Sequence, residues 1–315
     1  MQVSRFTLIL VVGSCALLGA APTIASSGGL KVLVTGTCSQ TADLATAIQA
    51  QPGIASATTF DVSTGTPTDG EFRAADLVVD IGDSCGGGYA SSVTYGDRLA
   101  NYVDHGGVVL QAAYDNWDSA PTYPGGRFSS GGYPPLTLGD NENKATTLGQ
   151  VLKPHSPIVQ GLGTFATSSN TTTGLAAGAQ LLAKWADGRN AIAVKGRVVA
   201  TSASADDTSA LPDLARLARN TGKYFNAVPS TKITKASIDS SAHTAAFRFK
   251  AVGPFSSGFQ CELKKPGGTK PKFKSCPSHK KYSGLRPGTY TFEVAAVGPG
   301  GSDPTPAKKT FKVGP

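Results

Sequence analysis

The chain has 315 residues, enough for two domains of ordinary size or one large one. Hydrophobic residues make up 40% and charged residues only 16%, with 38 Gly and 20 Pro, which excludes both a highly charged disordered polymer and a bundle of membrane helices. The formal net charge of +8 is unevenly spread: residues 230–315 hold 13 Lys and 2 Arg against 2 Asp and 2 Glu, a net +11, leaving −3 for residues 1–229. A basic segment of this kind is attracted to polyanions, and it serves equally well as a solubilising surface.

Residues 1–25 read as an export signal. Arg5 is their only charge, residues 6–18 are almost continuously apolar, and Thr23 and Ala25 are placed for cleavage before Ser26. The apolar run is short for a membrane span. Val12-Gly13-Ser14-Cys15 loosely resembles a lipobox, so lipid attachment through Cys15 is the alternative form. No later segment reads as a span, and an exported protein, secreted or held at the cell surface, is expected. Signal removal leaves Cys38, Cys85, Cys261 and Cys276, an even count that reads as disulfides, two cysteines in each half. There is no CxxC spacing, and His105, His155, His243 and His279 are scattered, so neither a metal nor a cofactor is expected.

Residues 30–35 (LKVLVT) predict a buried strand, and 41–50 a helix with Leu44, Ala47 and Ile48 on one face. Residues 56–62 and 75–82 (ADLVVDIG) predict two more strands. Residues 94–105 predict a helix capped by Thr94, with Asp97 three residues on and an apolar stripe of Leu99, Tyr102 and Val103. Gly106-Gly107 ends it, and 108–112 (VVLQA) returns as a strand. This alternation predicts a parallel sheet covered on both faces.

Residues 113–150 break the rhythm and start where a parallel strand ends, which is where such folds place ligands. Asp83, Asp115, Trp117 and Arg127 are therefore candidate ligand-binding residues, the other reading being a packed surface insertion. Asp80, Asp83, Asp115 and Asp118 can converge at this edge, where paired carboxylates bind a hard cation or act as acid and base. His155 is a candidate general base with Asp115, or else a turn-fixing residue in its Pro-rich loop. Gly86-Gly87-Gly88 allows close backbone approach, but neither a Walker A nor a GxGxxG motif is present. Residues 180–185, 190–194 and 197–201 predict strands, with Asp187-Gly188 between the first two, and 211–223 a helix.

The succession KVLVTG, ADLVVDIGD, GDRLANYVDHGGVVLQA, HSPIVQG, LLAKWADGRNAIAV and GRVVATSA resembles the class I glutamine amidotransferase-like superfamily, in its trehalose-utilisation-protein-like branch, over residues 30–225. The resemblance implies a flavodoxin-like three-layer α/β fold. Enzymes of that superfamily carry a nucleophilic Cys on a strand-to-helix elbow. The matching strand, 108–112, is followed by Ala113, Tyr114 and Asp115, so the resemblance implies the fold without the nucleophile. In a flavodoxin-like sheet of order 2-1-3-4-5 the ends of strands 1 and 3 are neighbours, which brings Cys38 and Cys85 within reach of a disulfide. A redox-active pair is the sharper alternative.

After Val228-Pro229-Ser230 the apolar period changes to two. Phe247 and Phe249, then Phe259, Cys261 and Leu263, then Tyr290, Phe292, Val294 and Ala296 alternate between Gly/Pro turns, which predicts an all-β sandwich over 230–315. The pattern FQCELKK…FKSCPSHKKYSGLRPGTYTFEVAAVGPGGSDPTPAKKTFKV resembles a bacterial immunoglobulin-like or fibronectin type III-like module. That resemblance implies a spacer or adhesion role and a bridge Cys261–Cys276. Lys264, Lys265, Lys270, Lys272, Lys274, Lys280 and Lys281 crowd one hairpin region and are candidate polyanion-binding residues. Lys-rich edges that prevent strand aggregation are the competing reading. Few aromatics accompany them, so nucleic acid is not the expected partner, and cell-wall polysaccharide, another acidic polymer or anionic lipid is. The sequence thus points to an exported, non-enzymatic binding or cell-surface protein. The alternative is a hydrolase-like enzyme using Asp115 and His155 at the carboxyl edge of the sheet.

Overall fold

The computed structural model describes residues 29–82, 87–112, 117–118, 122–253, 255–265 and 273–315. The expected export signal and Cys15 therefore lie outside the described residues, as do Asp83, Cys85, Asp115, Lys270 and Lys272.

Strands and helices alternate at the start: β1 (Leu30–Gly36), α1 (Ser39–Gln49), β2 (Ile54–Asp61), α2 (Asp69–Ala74), β3 (Leu77–Asp80), α3 (Ser92–Asp104) and β4 (Val109–Gln111). The short helix α2 is absent from the sequence reading, although Thr68-x-x-Glu71 is a capping box. Glu71 N donates to Thr68 Oγ1, and Thr68 N donates to the Glu71 carboxylate. Helix α3 starts before the predicted cap. Ser91 is the N-cap, its Oγ accepting from Thr94 N at 3.2 Å, and Thr94 stands inside the first turn. There follow α4 (Gly126–Ser130), β5 (Asn141–Glu142), β6 (Thr146–Val151), β7 (Ala166–Thr167), β8 (Asn170–Thr171), β9 (Gln180–Trp185), β10 (Asn190–Lys195), β11 (Val198–Thr201) and α5 (Leu211–Phe225).

The main sheet has the order β2-β1-β3-β4-β11-β10-β9-β6-β7. The expectation of a parallel sheet holds from β2 to β11 and fails beyond it, so the sheet is mixed. Strands β11, β10, β9 and β6 pair antiparallel in turn. The cause is connection length. A parallel crossover needs a dozen or more residues. Only Ala186 to Arg189 join β9 to β10, and only Gly196 and Arg197 join β10 to β11, with Gly196 at φ +56°, open to glycine at little cost.

Alternation along the parallel strands sends side chains to two cores. Val32, Val34, Leu77, Val79 and Leu110 pack with Leu44 and Ile48 of α1 and with Leu214, Leu217 and Ala218 of α5. Leu33, Val78, Val109 and Val198 pack on the other face with Phe72, Tyr95, Leu99 and Phe128. Both faces of the parallel half are therefore covered by helices, which directs attention to the strand ends, where such folds place ligands.

The second region is all β: β12 (Ser230–Asp239), β13 (Thr244–Val252), β14 (Gly258–Lys264), β15 (Lys274–Cys276), β16 (His279–Tyr282), β17 (Gly288–Gly298), β18 (Gly301–Ser302) and β19 (Ala307–Val313). One sheet is β12-β13-β16. The other is β15-β14-β17-β18, with β19 also on β17. Both contribute to one apolar core in which Phe247 and Phe292 stack with centroids 4.1 Å apart. The two regions meet at the amino ends of β4 and β11. Arg197 donates to the carbonyls of Gly107, Phe225 and Pro299, Gly300 N donates to Ala227 O, and the Tyr224 and Phe255 rings meet edge to face. No helix among the described residues is long and apolar enough to cross a membrane.

Cys261 and Cys276 form a disulfide between the neighbouring strands β14 and β15, 15 residues apart, which is compatible with an extracellular setting. Replacing both cysteines by Ala is expected to cost the second region about 3 kcal/mol, the loop-closure entropy of a bridge of that span. Urea unfolding of the full chain without reductant, followed by the near-ultraviolet signal of the β region, measures it. Unchanged stability would mean the bridge constrains nothing in the unfolded chain.

Candidate functional site

Three adjacent parallel strands carry polar residues at or next to their carboxyl ends: Thr35 on β1, Asp80 on β3 and Gln111 on β4. They lie side by side in the ladder, Thr35 beside Asp80 and Asp80 beside Gln111, and all three are buried. This is the carboxyl edge of the sheet at the point where strand order reverses, with β2 on one side of β1 and β3 on the other.

Asp80 is the centre of the cluster. Its Oδ1 accepts from Tyr89 OH at 3.0 Å, Thr35 Oγ1 at 3.1 Å and Gly82 N at 3.4 Å, and Thr35 Oγ1 lies 2.7 Å from Tyr95 OH. Gly82 reaches it with φ +68°, a conformation that favours glycine. Asp80 Oδ2 and Gln111 Oε1 have no hydrogen-bond partner among the described residues. Burial pushes the Asp80 carboxyl up to about 7, against the opposing pull of the hydroxyl donors from Tyr89, Tyr95 and Thr35. The group therefore holds a proton well above the ordinary carboxylate range. It joins the ends of β1 and β3 to two aromatic side chains of the adjoining helical layer.

Of the residues singled out from the sequence, those described lie as follows. Asp83 and Asp115 lie outside the described residues. Trp117 is half-buried, bridging to Gly139, and Asp118 is exposed, its N–H donating to Gly139 O. Arg127 faces away from the edge. Its guanidinium donates to Asp104 at 2.6 Å, Tyr133 OH at 2.7 Å and Asn101 Oδ1 at 2.5 Å, which fastens α4 to α3. His155 is exposed and follows β6, which runs against the parallel strands, so the chain is descending from the carboxyl edge when it reaches His155. The carbonyls of Ile158 and Gln160 then accept from Asn220 in the lower half of α5. His155 is thus set toward the opposite edge from Asp80, and its expected partner Asp115 lies outside the described residues. Cys38 is the N-cap of α1 and is disulfide-bonded, so it offers no thiolate. The expected pairing of Cys38 with Cys85 involves a residue outside the described set. Among the described residues no three His, Cys, Asp or Glu side chains cluster as metal ligands.

Of the lysines grouped by the sequence, Lys270 and Lys272 lie outside the described residues, and the described ones have different surroundings. Lys264 Nζ is 2.7 Å from Glu293 Oε1, and Lys308 approaches the same carboxylate at 3.4 Å. The Lys280 ammonium sits 5.5 Å over the Tyr282 ring, while Lys265, Lys274 and Lys281 are exposed.

No protein-family model matches the chain, and no curated protein matches it. Among solved structures it is similar to cytoplasmic protein STM3548 from Salmonella typhimurium, at 14% identity and a TM-score of 0.49, over 62% of this chain and 98% of that one. It is also similar to a ThuA-like protein from Bacteroides uniformis, at 12% identity and a TM-score of 0.45, over 66% of this chain and 94% of that one. Cytoplasmic protein STM1381 from Salmonella typhimurium gives 14% identity and a TM-score of 0.45, over 61% of this chain and 95% of that one.

The buried carboxyl has a measurable consequence. Its folded pKa, about 7, lies above the ordinary value of 3.8, so between these pH values the native state binds a proton that the unfolded state has released. Its contribution to stability is present below pH 4 and is lost as pH rises toward 7. Urea unfolding from pH 4.5 to 7.5 is expected to show this decline in the wild type and a flatter profile in Asp80→Asn. Parallel profiles would mean that Asp80 is ionised throughout.

Proposed function

We propose that the protein is an exported, non-enzymatic binding protein that works at the cell surface on carbohydrate or cell-wall polymer. In this reading residues 1–25 are an export signal, with lipidation at Cys15 the alternative to release. Residues 30–225 are a flavodoxin-like domain of the class I glutamine amidotransferase-like, trehalose-utilisation-protein-like kind without the catalytic Cys. The order β2-β1-β3-β4-β11 of the parallel half supports this, being the flavodoxin-like order 2-1-3-4-5. Residues 230–315 are an immunoglobulin-like or fibronectin type III-like sandwich. Tyr290 OH, which donates to Arg286 O at 2.9 Å, supports that reading as a tyrosine tied to backbone just upstream. The Cys261–Cys276 bridge departs from the immunoglobulin pattern, because it joins two strands of one sheet.

The observation that carries the non-enzymatic reading is the state of Asp80. It is the acid at the carboxyl edge of β3, fully buried, with one oxygen shared by three donors. A carboxyl so held is a structural acceptor, since a general base must reach the proton it removes. Incubating the purified chain with cell-wall fragments tests the proposal, with retention in the pellet and release of new reducing ends, carboxylates or amines followed together. Retention without product is expected, with Asp80→Asn retained as the wild type is. Turnover that disappears in His155→Ala would establish the carboxylate/His hydrolase in its place.

A further inference from the structure

The pleat of the three-stranded sheet sorts its cations by parity. Ala245, Phe247 and Phe249 of β13 face the core, so Arg248 and Lys250 face out. Register then places Lys232 opposite Lys250, Lys235 and His279 on either side of Arg248, and Lys281 opposite Ala246. The outer face of β12-β13-β16 therefore carries Lys232, Lys235, Arg248, Lys250, His279 and Lys281, all exposed and none in an ion pair among the described residues. The acid on these strands is Asp239, at one end, where its Oδ1 already accepts from Ala242 N and Ser241 Oγ. The aromatic side chains of the sheet, Phe247, Phe249 and Tyr282, all pack inward.

Like charges directly opposite one another destabilise a sheet. Lys232 against Lys250 and Lys235 against Arg248 accept that cost with no acid between them, and an external anion would relieve it. Neighbours along a strand face are about 6.6 Å apart and neighbours across strands about 4.8 Å, so the charges form a lattice suited to a repeating chain of anions. With lysine predominating, the face offers rotatable point charges, the form in which lysine holds phosphate, and Arg248 alone supplies a planar fork, which matches phosphate as well as carboxylate. Without an outward aromatic it has no platform for a nucleobase or a sugar ring.

We propose that the outer face of β12-β13-β16 binds a linear phosphodiester-linked polyol polymer through Lys232, Lys235, Arg248, Lys250 and Lys281. This rests on the reading of the protein as a wall-polymer binder and replaces the Lys264–Lys281 hairpin as its polyanion site. The test uses the full chain and poly(glycerol phosphate), with polygalacturonate as carboxylate polymer and oligothymidylate as nucleic acid. The compared variants are K232E/K235E/K250E/K281E, the same four changed to Gln, and the hairpin variant K265E/K274E. The logarithm of the wild-type affinity for poly(glycerol phosphate) is expected to fall linearly with log salt. The Glu face variant should lose tenfold or more, roughly, the Gln variant should lose less with a shallower salt slope, and the hairpin variant about twofold or less. Thermal unfolding of each variant establishes that it folds, and the Gln variant keeps the test decisive if the Glu variant does not. A folded face variant that binds as the wild type does overturns the inference. Equal or tighter binding of polygalacturonate or oligothymidylate by the wild type overturns it as well. If wall fragments still retain the wild type in those cases, the broader reading stands and only the face or the polymer is wrong. A wild type that wall fragments do not retain removes both.

Discussion

A carboxyl group taken out of water at the end of β3 organises the upper edge of the first region. An unpaired buried acid is costly, and the fold meets that cost in two ways: donors from Thr35, Tyr89 and Gly82 converge on one oxygen, and the group holds its proton up to about pH 7. Those donors come from β1, from the turn after β3 and from the approach to α3. The hydrogen bonds thus fix how the strand ends meet the helical layer, where Tyr89 and Tyr95 lie ring against ring at 4.9 Å. The same cluster ties the ends of β1 and β3 to the helical layer and moves the titration of its acid into the neutral range.

Much of the first region is legible because local patterns carry it. The strands at LKVLVT, ADLVVDIG and VVLQA and the helices α1, α3 and α5 follow from apolar runs and helical spacing. The antiparallel half was open to the same reasoning. Four residues around Asp187-Gly188 and the pair Gly196-Arg197 are too short for crossovers, and weighting turn length above apolar continuity would have found the hairpins. Thr68-x-x-Glu71 likewise announced α2. The Asp80 cluster is different in kind. A polar residue ending an apolar strand is visible in ADLVVDIG, but nothing local distinguishes Tyr89 and Tyr95 from other core aromatics, because their partner is brought to them by the sheet.

The lysines teach the converse. Counting along the chain grouped Lys264 to Lys281, yet Lys280 and Lys281 are consecutive and therefore point to opposite faces, one over an aromatic ring and one to solvent. Residues farther apart in sequence, such as Arg248 and His279, become neighbours through register. Charge density along a β chain and charge density on a β surface are separate quantities, and only strand pairing converts one to the other.

Arg197 has a mechanical consequence. Its guanidinium holds the carbonyls of Gly107, Phe225 and Pro299 from the short link just before β11, with Gly300 N on Ala227 O beside it. Tension on the β region would enter the first region here, at the amino ends of β4 and β11, spread over a loop, a helix end and a hairpin. The Thr35–Asp80–Gln111 cluster lies at the other end of the same strands. Load would pass into the base of the sheet, and the parallel strands between would shield the buried carboxyl from it.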